Sequence, residues 1–100
     1  MEAELKKRWI AALRSGEYKQ SEGMLAVLVS DPELSGACFP AEKCISFCCL
    51  GVLGALIDPK CVQYPDFLES ETRRLCIHWN DTAGLTFNEI ADKLEKNDEI

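Results

Sequence analysis

The stretch Cys44–Ile57, CISFCCLGVLGALI, constrains this chain more than any other. It holds no charged residue, and Ser46 is its one hydroxyl. Its fourteen residues fall short of the roughly 20 that an apolar helix needs to span a bilayer. The reading is therefore a helix buried inside a globular protein. A helix that is apolar all round must be covered on all sides, so the other segments are expected to wrap it. The expected fold class is mainly α, a single domain over residues 1–100, bundled around this central helix. Gly51 and Gly54 each weaken that helix by about 1 kcal/mol, and their expected use is the close approach of a neighbouring helix.

The flanking segments are amphipathic. From Glu2 to Arg14, Leu5, Trp9, Ala12 and Leu13 fall on one helical face, and Gly16 sits where a left-handed C-terminal cap belongs. Residues 24–29 are ambiguous, because Val27 and Val29 favour a strand while Met24, Leu25 and Leu28 permit a helical turn. A short helix is preferred for want of a visible partner strand, and a short β-hairpin or extra turn near residues 17–30 stays open. Residues 30–42 carry Asp31-Pro32, Ser35-Gly36 and Phe39-Pro40, which mark a loop. A helix with Ser70 as N-cap is expected to end near Trp79, turning Leu75, Cys76 and Trp79 inward. Residues 80–85, NDTAGL, read as a turn. Thr86-Phe87-Asn88-Glu89 then matches a capping box, with Leu85 and Ile90 at the staple positions. Phe87, Ile90, Ala91 and Leu94 form the buried stripe of the last helix, and Asp92, Lys93, Glu95 and Lys96 its wet face.

Three blocks carry a resemblance. They are WIAALRSGEYKQ at residues 9–20, FCCLGVL at 47–53 and WNDTAGLTFNEIADKLE at 79–95. In this order they resemble a family of small, functionally uncharacterised proteins encoded by bacteriophages and prophages. Trp79 departs from the pattern, standing where an aliphatic residue is usual, and residues 24–43 look longer and more apolar than the usual connection. The resemblance implies a phage context and the cytoplasm of a bacterial host. It implies no catalytic residues. The N-terminus agrees with a cytoplasmic setting, since MEAELKKRWIAAL alternates charged and apolar residues where a secretion signal would have an apolar core.

Six cysteines in a cytoplasmic protein are expected to be free thiols or metal ligands. Cys44 and Cys48, four apart on the central helix, could meet Cys61, Cys76 and His78 to hold zinc. The spacing matches no zinc knuckle, and buried core cysteines are the preferred reading. Thiol catalysis would need His78 beside a thiolate, yet an apolar helix raises a thiol's pKa and silences it. The NDTAG turn lacks the ligands of a calcium loop. The turn between the last two helices is too long for a helix-turn-helix.

The net charge of −6 opposes direct binding to nucleic acid or to anionic lipid. It suits a basic surface on a host protein or complex. The expected function is a non-enzymatic binding protein, without a cofactor, that inhibits a host defence complex by occupying a basic or nucleic-acid-binding surface. The expected contact residues are Asp66, Glu69 and Glu71 with Glu89, Asp92 and Glu95, extended by Asp98 and Glu99, as one shared acidic face. A structural zinc protein is the alternative, a small thiol enzyme is a distant third, and homo-oligomerisation stays open.

Overall fold

A computed structural model describes residues 1–23, 25–28, 40–63, 65, 67–97 and 100. The chain is mainly α-helical. Helix α1 spans Ala3–Arg14 and strand β1 spans Ala26–Leu28. A 3₁₀ turn, Ala41–Lys43, leads into strand β2, Cys44–Phe47, and helix α2, Cys49–Ile57. Helix α3, Ser70–Ile77, runs on into a π-helical turn, His78–Thr82, and helix α4, Phe87–Lys96, follows.

Helix α2 is the buried centre. Every residue from Cys49 to Ala55 is buried, with Leu50, Val52 and Leu53 sealed from solvent. Helix α1 packs on it and on α4, and α3 covers another side. Trp9 and Leu13 of α1 and Ile90, Ala91 and Leu94 of α4 complete the core.

The expected central helix is corrected at its start: it begins at Cys49, not Cys44. Residues 44–47 are extended and pair antiparallel with β1, Ala26 opposite Phe47 and Val27 opposite Ser46, with an irregularity before Leu28. Ile45 faces solvent while Ser46 and Phe47 are buried, and Cys48 is still extended, at φ −82° and ψ 174°. The helical turn preferred within residues 24–29 is likewise a strand at 26–28. Its partner strand lies inside the apolar run itself, at residues 44–47. The loop expected over residues 30–42 falls mostly outside the described residues; Ala41 and Glu42 belong to the 3₁₀ turn.

Of the remaining boundaries, the glycine after α1 and the cap of α4 agree with the pattern, while the N-cap of α3 is displaced by one residue and residues 80–82 of the expected turn are π-helical, continuing α3. Gly16 takes φ 77° after α1. Glu69, one residue before the expected Ser70, is the N-cap of α3. The capping box of α4 is complete: Thr86 Oγ1 accepts from the Glu89 amide at 3.2 Å, and Glu89 Oε1 accepts from the Thr86 amide at 3.1 Å. Lys6 on α1 donates its ammonium to the Asn97 carbonyl at 2.6 Å, placing a cation at the negative end of α4.

The two helical glycines do admit close neighbours, though these are loops and not a helix. A Cβ on Gly51 would strike the Leu25 carbonyl oxygen, and one on Gly54 the Gln63 carbonyl oxygen. The backbone before β1 and the connector after α2 therefore press directly on the central helix.

Candidate functional site

The three sequence blocks meet at the start of α2. From the first, Trp9 donates its indole N–H to the Cys49 carbonyl at 2.9 Å. Tyr18 packs edge-on against Phe47, with ring centroids 5.3 Å apart. Gln20 donates to Asn80 Oδ1 at 3.0 Å and to the Leu85 carbonyl at 2.7 Å, and its Oε1 accepts from the Phe87 amide at 3.1 Å. Asn80 Oδ1 also accepts from the Cys49 amide at 3.3 Å, and its Nδ2 donates to the Ser21 carbonyl at 2.8 Å and to Asp81 Oδ1 at 2.7 Å. The π-helical turn swings Asn80 inward, where it is 1% exposed. Each of these polar groups is occupied by another part of the chain. A satisfied buried network of this kind fixes geometry.

A cleft of about 190 Å³ lies beside the network, lined by Gly23, Cys48, Cys49, Ile77, Asn80 and Asp81 among others. Its thiols are in the wrong state for a nucleophile. Burial pushes the Cys48 thiol up to about 11, only partly offset by the amides of Gly51 and Leu50. At neutral pH roughly one Cys48 in 10⁴ is then a thiolate. The Cys49 thiol is raised further by its hydrogen bond with the Cys76 thiol and by burial. Its Sγ also lies 3.5 Å from the Cys76 carbonyl oxygen.

The other expected zinc ligands are dispersed. Cys44 lies in β2 with its Sγ 3.5 Å from the Pro40 carbonyl oxygen. Cys48 precedes α2, so the two do not share a helical face. Cys61 follows α2 and accepts from Gln63 Nε2 at 3.2 Å. Cys76 is sealed in α3, and His78 is exposed. Among the described residues no three His, Cys, Asp or Glu side chains group so as to hold a metal ion. Among the same residues no helix is long and apolar enough to cross a membrane.

The expected acidic face divides. On α4, Asp92 and Glu95 both accept from Arg14 Nη2 at 2.6 Å, clamping α4 to α1. These two bonds raise the Arg14 pKa, Glu95 contributing most. Glu89 closes its own capping box. Glu69 and Glu71 are exposed at the start of α3, bordering a hollow with Asn97 and Ile100. No ion pair engages either of them among the described residues. Asp66, Asp98 and Glu99 lie outside those residues.

Two residues that the sequence pattern does not single out flank the same connector. Ile57 at the end of α2 and Phe67 before α3 are 48% and 54% exposed. Their signal is the company they keep: Ile57 stands next to Asp58-Pro59, and Phe67 between Asp66 and Glu69, in a polar connector that cannot bury every apolar side chain.

A family model described as a domain of unknown function, DUF8296, matches residues 1–30 of the chain. That stretch holds Trp9, Tyr18 and Gln20. No curated protein and no solved structure matches.

Proposed function

We propose that this chain is a small acidic binding protein of phage type, non-enzymatic, that acts in the host cytoplasm by occupying a basic or nucleic-acid-binding surface of a host complex. One observation carries the reading. Residues 58–71 hold four carboxylates against one lysine, a net charge of −3 and half of the chain's −6. Glu69 and Glu71, the two of these at the start of α3, are exposed and not consumed by the fold. The contrast with the chemistry-bearing groups supports the same direction: Gln20 and Asn80 are saturated by internal hydrogen bonds, and the Cys48 thiol in the cleft is protonated at neutral pH. The phage resemblance supplies the setting.

Contact through surplus charge speeds encounter with a basic surface and fades as salt rises. The experiment is affinity capture from a bacterial lysate, followed by competition with duplex DNA and with RNA. The expected result is a partner displaced by one of these and weakened by Glu69→Lys with Glu71→Lys. A captured partner that withstands about 0.5 M salt, where screening acts within a few ångströms, and excess nucleic acid would refute the reading.

A further inference from the structure

The connector that carries half of the surplus charge also carries the exposed apolar pair. Ile57 and Phe67 line one groove of about 300 Å³ with Gly54, Asp58, Gln63 and Pro65. That volume is at the small end of the range for binding pockets, about 300–1,000 Å³. Phe67 is a ridge, since a second hollow of about 130 Å³ opens on its other side against Leu68, Glu69 and Thr72. The groove has a firm wall: the Gln63 carbonyl lies against Gly54 so closely that no Cβ would fit between them.

The charge along its sequence is one-sided. Helix α2 ends here, and its last turn holds no basic residue. The negative end of a helix ordinarily attracts a cation. Asp58 follows at once, accepting from the Lys60 amide at 3.0 Å, and Lys60 is the single cation in residues 58–71. The next cations, Arg73 and Arg74, line a different hollow with Ser70 and Ile77.

We propose that this groove is the docking site for a basic segment of a partner protein carrying a large apolar side chain, which packs between Ile57 and Phe67 while its lysines or arginines face Asp58, Glu69 and Glu71. This rests on the reading of the chain as an acidic binding protein and names the surface it uses. Apolar contact gives the specificity that charge alone lacks, because large side chains seated in a desolvated pocket carry most of the energy of an interface.

The test uses three fluorescein-labelled dodecapeptides and the full chain. One alternates lysine and glycine around a central leucine pair, the second has serines for the leucines, and the third has glutamates for the lysines. The first should bind at low salt and the third should not. Serine for leucine, Phe67→Ala and Ile57→Ala should each weaken binding by about ten-fold. Amide shift changes on titrating the first peptide into ¹⁵N-labelled protein should centre on residues 54–71, and circular dichroism should show both variants folded. Equal, salt-sensitive binding of the leucine and serine peptides, unmoved by Phe67→Ala, would overturn the groove and leave the acidic reading standing. No binding of any basic peptide would overturn both. A dimer in sedimentation that Phe67→Ala dissolves would assign the groove to a second copy and overturn the basic partner segment.

Discussion

Asn80 is 1% exposed, and its burial is tolerated because each of its polar atoms has a partner. Asn80→Ala would strand the Cys49 amide, the Ser21 carbonyl and one Gln20 donor together, at a cost of about 3 kcal/mol. Urea denaturation should show that loss, and Asn80→Asp should not restore it, since a carboxylate cannot donate to the Ser21 carbonyl. Gly51→Ala should also destabilise, for a different reason. Helix propensity alone predicts a gain, but the new methyl group would collide with the Leu25 carbonyl, so the expected net is a loss of about 1–3 kcal/mol. A stabilised Gly51→Ala would show that the backbone before β1 yields. These two residues also mark what the sequence can tell. The use of Gly51 and Gly54 is legible, because glycine inside an apolar helix has few purposes. The neighbour is not, because any backbone can fill the space. Asn80 reads as a turn residue because Asn-Asp-x-x-Gly has that composition, and nothing in the local pattern announces a π-helical turn that rotates the side chain inward.

At the scale of the element, Thr86 and the central run mark the two extremes of legibility. Thr86→Ala should cost about 1 kcal/mol through the unpaired first-turn amide, with Thr86→Ser costing far less; thermal melts of both variants check it, and equal melts would place the start of α4 elsewhere. This cap is readable because it is local: two residues three apart satisfy one another. The first residues of the central run are not readable, because uninterrupted apolar sequence carries no period, and strand and helix then look alike. Only the ladder to residues 26–28 separates them, and its two strands are set apart in sequence by residues 29–43. The two ambiguities are one, since a run taken as helix from Cys44 leaves β1 without a partner. A helix from Cys44 would also put Cys44 and Cys48 on one face, whereas one lies in β2 and the other precedes α2. The zinc alternative depends on that shared face.

For the molecule as a whole, charge and protonation make separate predictions. Asp92 and Glu95 of α4 are tied to α1 through Arg14, so reversing both to lysine would set two cations beside that arginine. Such a variant should melt lower than the parent, and less so at high salt as the repulsion is screened; reversing Glu69 and Glu71 breaks no ion pair among the described residues and should lower the melt less, by the loss of two carboxylates from the positive end of α3. The buried thiols act at the other end of the pH scale. Cys48 keeps its proton in the folded chain up to about 11, against 9.0 for a free thiol. Below pH 9 both states hold the proton and nothing is lost. Between pH 9 and 11 the unfolded chain releases it and the folded chain does not, so the unfolded state is favoured as pH rises. The difference between the folded and free thiol corresponds to about 2–3 kcal/mol, reached near pH 11. Cys48→Ala removes this group from the balance. Its denaturant midpoint should therefore start lower than the parent's at pH 7, because a side chain is missing from the core, and decline less steeply from pH 9 upward. Parallel declines for parent and variant would show that Cys48 titrates freely, and with it that the start of α2 is open to water.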